Sequence, residues 1–198
     1  MNIKFSENNI APPIMALDDA QMACASGEAI TPLILATEGM GADPAKMALL
    51  ENTAGPDDID SADYDAIYFT GGHAVMYDFP DSVGLQRITR EIYERGDIVS
   101  SVCHGYCGLL NTKLSDGSYL IAGKKMTGFA WQEEILARVD KLVPYNAEER
   151  AKERGALYRK AKLPFVSYTV VDGNLVTGQN PGSAKETAQK VASLLAAE

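Results

Sequence analysis

Cys103 and His104 are adjacent residues whose side chains could carry out covalent chemistry. They follow a short, largely β-branched run at 98–102 and precede a predicted helix. A strand that ends abruptly in Cys-His-Gly indicates a tight turn that presents Cys103 at a sheet edge, above a helix N-terminus. That N-terminus and a protonated imidazole would both lower the thiol pKa below its usual value of about 8.5. The pattern predicts a cysteine nucleophile, and the alternative is a small buried cysteine without chemistry.

The elements predicted around this pair alternate between strand and helix. Short apolar runs predict buried strands, and stretches with helical spacing predict helices. The strands are expected at 30–36, 66–70, 98–102, 125–127, 167–171 and 175–177, and the helices at 18–27, 82–96 and 183–197. This alternation predicts an α/β sandwich with a mainly parallel sheet. The functional site of such a sheet lies outside the carboxyl ends of its strands, where Gly71, Gly72 and Cys103 all fall.

Composition restricts the classes of partner. The 198 residues, 46% of them hydrophobic, favour a single domain over 1–198. The formal net charge of -9 argues against nucleic acid or an anionic membrane as a partner. No apolar run approaches the roughly 18 to 20 residues that a membrane span needs. An odd count of three cysteines fits a reducing compartment, and we therefore expect a cytoplasmic protein.

Motifs for cofactors and metals are absent from the sequence. Gly39-Met40-Gly41 is not followed by a third glycine at the spacing of a dinucleotide-binding loop, and no phosphate-binding loop with Gly-Lys-Ser/Thr occurs. The chain has only two histidines, His73 and His104. A zinc site made from these histidines with Cys24 and Cys107 would need a spacing that the sequence lacks. We expect neither a metal nor an organic cofactor.

Five blocks together carry a resemblance to a known family. The blocks are 63–73, 76–80, 102–105, 123–129 and 172–181. In order and spacing they resemble the ThiJ/PfpI superfamily, and within it the group of glyoxalase III and stress-induced chaperone proteins, over roughly residues 57–195. The resemblance implies a flavodoxin-like, class I glutamine amidotransferase-like fold, which is a three-layer α/β/α sandwich.

The resemblance also implies roles for individual residues. Cys103 would be the nucleophile, His104 its acid/base partner, and Glu134 the carboxylate that orients the imidazole. A carboxylate in that place fixes the tautomer of the imidazole and stabilises its charged form. Glu133, one residue earlier, is the alternative, because an acidic pair at a helix start is usually only a favourable contact with the helix dipole. We favour Glu134.

Two backbone amides would complete this site. The Gly72 and His104 N–H groups resemble the oxyanion-stabilising donors of the family. His73 is expected to lie in the wall of the substrate pocket, without a catalytic part. Tyr106 is expected to line the same pocket, in a segment where relatives usually carry proline and alanine at the positions of Tyr106 and Cys107. Cys107 is either a buried helix residue or a resolving partner for an oxidised Cys103.

The N-terminal segment departs from the family. Relatives carry a glutamate after the first strand that hydrogen-bonds the nucleophilic cysteine, and alignment back from Gly27 puts Met15 there, in the substrate pocket. Methionine cannot transfer a proton, so turnover is expected to be weak unless another carboxylate substitutes. The candidates for that substitution are Glu7, Asp18 and Asp19.

The resemblance implies a small carbonyl substrate and a cysteine-dependent lyase that converts methylglyoxal to lactate without glutathione or cofactor. It also implies a homodimer. Two alternatives remain open at this stage. One is a catalytically weak stress, chaperone or redox-sensing protein, and the other is a hydratase or amidase with the same nucleophile.

Overall fold

The computed structural model describes residues 54–197. The chain divides into two compact units, Met1–Ile59 and Asp60–Glu198. In the first, the described segment contains a single 3₁₀ turn, Pro56–Asp58. The second unit contains the elements that follow. The strand predicted at 30–36, the helix predicted at 18–27 and the position of Met15 lie outside the described residues.

A four-stranded sheet forms the centre of the second unit. Its strands are β1 (Ala66–Phe69), β2 (Ile98–Val102), β5 (Thr169–Asp172) and β6 (Leu175–Gly178). The order is β1-β2-β6-β5, with β1, β2 and β6 parallel and β5 antiparallel to β6. Strands β3 (Lys125–Met126) and β4 (Leu157–Tyr158) pair in parallel as a separate two-stranded sheet.

Five α-helices accompany these strands in the described part of the chain. They are α1 (Val75–Asp78), α2 (Val83–Glu94), α3 (Trp131–Leu136), α4 (Ala147–Glu153) and α5 (Ala184–Leu195). Further 3₁₀ turns lie at Ser61–Asp63, Phe79–Asp81, Cys103–Leu109 and Pro181–Ser183.

Helices cover both faces of the sheet, and every residue of β2 and β6 is buried. Ile98 and Val176 pack against Val191 of α5 on one face. The buried side of α2 carries Leu85, Ile88 and Ile92 and packs against β1 and β2. The predicted α/β fold with a mainly parallel sheet is therefore confirmed. No helix within 54–197 is long and apolar enough to cross a bilayer.

The ends of α2 show how local signals set its bounds. Ser82 caps the helix, because its hydroxyl accepts a hydrogen bond from the Leu85 amide. At the other end Gly96 has a φ of 95°, a left-handed conformation that glycine adopts without steric cost. The helix packs against both β1 and β2, and Phe69 pairs with Ser101 close to the edge where these strands end.

Candidate active site

Cys103 lies at the point where β2 gives way to a 3₁₀ helix. Its φ of 57° is in the left-handed region, which is uncommon for a residue with a side chain and is characteristic of a strained nucleophile turn. Two glycines allow this turn to fit. A Cβ on Gly71 would lie 2.6 Å from the Cβ of Cys103, and one on Gly105 would collide with the carbonyl of Phe69. The predicted elbow is present.

Cys103, His104 and Glu134 form one line of contacts. The Cys103 Sγ lies 3.3 Å from His104 Nδ1, and His104 Nε2 lies 2.6 Å from Glu134 Oε1. Because an ionised carboxylate can only accept, Nε2 carries the proton of the neutral imidazole, and the lone pair on Nδ1 faces the thiol. His104 is buried, and α3 supplies Glu134 from its first turn.

Glu133 points away from this line. One of its oxygens accepts from the amide of Ala130, and the other accepts from the amide of Phe165 and the side-chain amides of Gln179 and Asn180. All four donors belong to the protein scaffold. Of the two neighbouring carboxylates, the structure thus brings Glu134 to His104.

Two backbone amides point at the sulfur. The N–H groups of His104 and Gly72 both donate to Cys103 Sγ. Gly72 has a φ of 130°, a backbone conformation that side chains rarely allow. Donors aimed at the nucleophile are also near the position where an oxyanion forms after it attacks a carbonyl.

Burial determines the protonation states of the group. Desolvation raises the pKa of Cys103 to about 12, although the two amides oppose the shift. Desolvation also lowers the pKa of His104, against the effect of its hydrogen bond to Glu134. Burial would raise the pKa of Glu134, but hydrogen bonds from His104 and His73 outweigh it and lower the value to about 2. The resting site therefore holds a neutral thiol, a neutral imidazole and a carboxylate.

This result differs from the sequence expectation of a depressed thiol pKa. The expectation counted the helix N-terminus and the imidazole, and the structure adds burial, which is the larger effect for Cys103. The imidazole is neutral, so it faces the thiol as a possible proton acceptor and not as a positive charge.

His73 makes a contact that sequence reasoning missed. Its Nε2 lies 3.1 Å from Glu134 Oε2, and its ring centroid lies 4.2 Å from that of His104. The side chain is 47% exposed, so it forms the solvent side of the group. The position of His73 directly after Gly71-Gly72 was the one sequence signal that placed it near the site. Sequence spacing does not reveal that His73 and His104 share the carboxylate of Glu134.

The same side chains could hold a metal ion. One ligand atom each from His73, His104 and Glu134 lie within 4.8 Å of one another, and they form the one such group within the described range. Both oxygens of Glu134 already have an imidazole nitrogen as a hydrogen-bond partner.

Phe129 and Tyr106 surround the site, and sequence reasoning named only the second. The Phe129 ring lies 4.6 Å from the His104 ring, and it packs with Cys103 and Val102. Tyr106 is fully buried, and its hydroxyl donates to the carbonyl of Phe129. A role for Tyr106 in a substrate pocket stays a prediction.

Cys107 is buried one helical turn beyond Cys103, and desolvation raises its pKa to about 12. Both cysteines of the described part are free thiols. A buried thiol with a raised pKa is a poor partner for oxidation chemistry, so the environment of Cys107 favours the simpler interpretation of a packed helix residue.

Comparison with known proteins identifies the family of this chain. A family model described as the DJ-1/PfpI family matches residues 4–194. The chain belongs to this family. It is 39% identical over 149 residues to "Glyoxalase 3" of Candida albicans, covering 72% of this chain and 62% of the relative. It is 38% identical over 140 residues to "Glutathione-independent glyoxalase HSP31" of Saccharomyces cerevisiae, covering 67% of this chain and 58% of the relative.

Solved structures are also similar to this chain. The crystal structure of glyoxalase III from Candida albicans matches with a TM-score of 0.69 and 35% identity, over 75% of this chain and 64% of that one. The Rapid Encystment Protein 24 kDa of Francisella tularensis matches with a TM-score of 0.75 and 32% identity, over 79% of this chain and 69% of that one. The chain thus spans about three fifths of the length of the curated relatives named above.

Proposed function

We propose that this protein is a glutathione-independent glyoxalase that converts methylglyoxal to lactate, with Cys103 as its nucleophile. The observation that carries the proposal is the line of contacts from Cys103 Sγ through His104 to Glu134, with two backbone amides aimed at the sulfur. The names of the relatives supply the substrate class. The expected fit is a small carbonyl compound, with no organic cofactor.

The first step is addition of sulfur to the aldehyde. His104 Nδ1 takes the thiol proton as the Cys103 sulfur forms a bond to the aldehyde carbon, which gives a hemithioacetal. Glu134 stabilises the imidazolium that results. The Gly72 and His104 amides stabilise the oxygen that gains negative charge. Because thiol and imidazole both begin neutral in a buried site, proton transfer and attack are expected to be coupled.

The second step rearranges and releases the product. A proton moves from the former aldehyde carbon to the neighbouring carbonyl carbon through an enediol, which converts the hemithioacetal into a lactoyl thioester. Water then cleaves the thioester, and the products are lactate and the free thiol. Among the described residues, His104 is the base that contacts the sulfur, so we assign it the proton transfers of both steps.

The test is an assay of methylglyoxal loss and lactate formation without glutathione. Wild type should form lactate, at a low rate if no other carboxylate replaces the glutamate that relatives carry at the position of Met15. Cys103→Ala should be inactive, with its fold intact by circular dichroism. Cys107→Ala serves as the matched control, because it removes a thiol from the same 3₁₀ helix without touching the site. Lactate formation that persists in Cys103→Ala would exclude the proposed nucleophile.

The alternatives keep the fold but change the chemistry. A redox-sensing role fits less well, since burial raises the pKa of Cys103 and so suppresses the thiolate that oxidants attack. A hydratase or amidase would use the same nucleophile. Activity on an isocyanide or an amide, with none on methylglyoxal, would favour that function instead.

Three further proposals accompany this function. We propose a single family domain over 1–198 and a homodimer, as the resemblance implies. We also propose a cytoplasmic location, since the two described cysteines are free thiols. Light scattering at micromolar concentration that gives only a 21.3 kDa species would exclude the dimer.

A further inference from the structure

Phe165 has a strained backbone and an exposed ring. Its φ is 60°, in the left-handed region that is rare for a bulky residue. The backbone amide donates to Glu133 Oε1 at 2.6 Å, while 51% of the residue is exposed. A conformation of this kind persists only where the surroundings hold it, and such positions are frequent at ligand clamps.

The segment around Phe165 is fastened at several backbone groups. The carbonyl of Val166 accepts from the side-chain amide of Asn180. The amide of Tyr168 donates to the hydroxyl of Ser183, and its carbonyl accepts from the amide of Gln179. The exposed ring therefore stands on a backbone that is already ordered, so a ligand contact with it costs little conformational entropy.

Aromatic rings connect Phe165 to the reacting group. The Phe165 ring lies 6.3 Å from the Phe129 ring, and Phe129 lies 4.6 Å from His104 and 6.1 Å from His73. These spacings are typical of aromatic pairs in contact. Phe165 is the exposed member at the end of the row, and the buried member packs directly against Cys103.

We propose that Phe165, held in place by Glu133, forms the outer wall of the active site and selects α-oxoaldehydes that carry an apolar or aromatic group beside the ketone. The inference rests on the proposed function and names the substrate class within it. Phe165 acts here as a specificity residue, since its ring would contact the part of the substrate that does not react. Glu133 belongs to the scaffold, and its bond to the Phe165 amide holds the backbone on which the ring stands.

The first experiment compares three substrates. Wild type should have a higher kcat/KM for phenylglyoxal than for glyoxal, with methylglyoxal between them. Phe165→Ala should reduce the ratio of phenylglyoxal to glyoxal by about tenfold, the size of one aromatic contact. Leu163→Ala, which removes a 67% exposed apolar side chain from the same loop, should leave the ratio unchanged. An unchanged ratio in Phe165→Ala, or an equal loss in Leu163→Ala, would overturn the proposal.

The second experiment does not depend on turnover. Alkylation of Cys103 by iodoacetamide and by N-phenyl iodoacetamide is followed by mass spectrometry, and each rate is divided by that of N-acetylcysteine. Wild type should favour the phenyl reagent, Phe165→Ala should lose that preference, and Leu163→Ala should keep it. If none of the three α-oxoaldehydes is consumed but this pattern holds, the glyoxalase function fails and the aromatic wall stands. A wild-type Cys103 with no preference for the phenyl reagent would overturn the wall itself.

Discussion

Glu133 and Glu134 are neighbours in sequence, and both are buried in the first turn of α3, yet they serve different parts of the molecule. Glu134 faces two imidazoles and belongs to the site. Glu133 faces amide donors from four different residues and belongs to the scaffold. The partners of each carboxylate determine what its removal changes. Removal of Glu134 takes a partner from two imidazoles and should affect the chemistry, whereas removal of Glu133 leaves amide donors unpaired and should affect the stability of the fold.

The largest expected effect is on turnover when Glu134 is changed. Glu134→Gln removes the charge that stabilises the His104 imidazolium, so we expect kcat/KM for methylglyoxal to fall by about 10² to 10⁴. The free energy of unfolding, measured in urea, should change much less. A Glu134→Gln variant that is fully active would remove Glu134 from the mechanism.

The rate of Cys103 alkylation should vary with pH over a wide range. Burial raises the thiol pKa to about 12, and only the thiolate reacts. The rate of iodoacetamide labelling in wild type should therefore rise through pH 10, about tenfold per pH unit, where an exposed thiol levels off above about 8.5. Glu134→Gln removes a charge that adds to the shift, but desolvation is the larger cause, so its profile should move only slightly to lower pH. A wild-type plateau near pH 8 would contradict the role of burial.

Substitution of Glu133 should lower the free energy of unfolding. Glu133→Ala leaves the amide of Phe165 and the side-chain amides of Gln179 and Asn180 without their acceptor. Leaving buried donors unpaired costs about 1 to 3 kcal/mol each, so we expect the free energy of unfolding to fall by about 2 to 4 kcal/mol after partial relaxation. Urea unfolding measures this loss. A variant as stable as wild type, with activity lost, would reverse the roles of the two glutamates.

The smallest expected effect is at His73. His73→Ala removes one of the two imidazoles on Glu134, but the side chain is half exposed and the shorter bond to His104 remains. We expect kcat to fall by roughly threefold to tenfold, because water can replace an exposed donor. The rate of lactate formation at saturating methylglyoxal provides the measurement. A loss as large as that of Glu134→Gln would make His73 a full member of the reacting group.

Local sequence patterns predicted much of the described fold. The run at 98–102 was predicted as a strand and is β2, and the segments predicted at 167–171 and 175–177 form the antiparallel pair β5 and β6. These runs are apolar and bounded by turn residues, so the pattern and the structure agree. Helices α3 and α4 were not predicted, because each is short and carries charged residues on its buried side as well as its exposed side.

The site was predictable in its residue types and not in its electrostatics. Cys103 and His104 stand out by adjacency, and the family resemblance favoured Glu134 over Glu133. Neither spacing nor composition reveals how deeply a thiol is buried, and this is what reverses the expected direction of the Cys103 pKa shift. The wall residue Phe165 was missed for a similar reason, since a positive φ at a non-glycine residue leaves no mark in the sequence.

The glycines around the elbow have a consequence for protein engineering. Gly71 and Gly105 place bare backbone from two chain segments against each other, so that the Cys103 turn and the end of β1 form a single joint. A designer who grafts Cys-His-Gly onto another strand-to-helix connection would copy the residues without the neighbouring strand that supports them. The transferable unit is therefore the pair of adjacent strand ends, and a scaffold can accept this nucleophile only where two parallel strands terminate side by side.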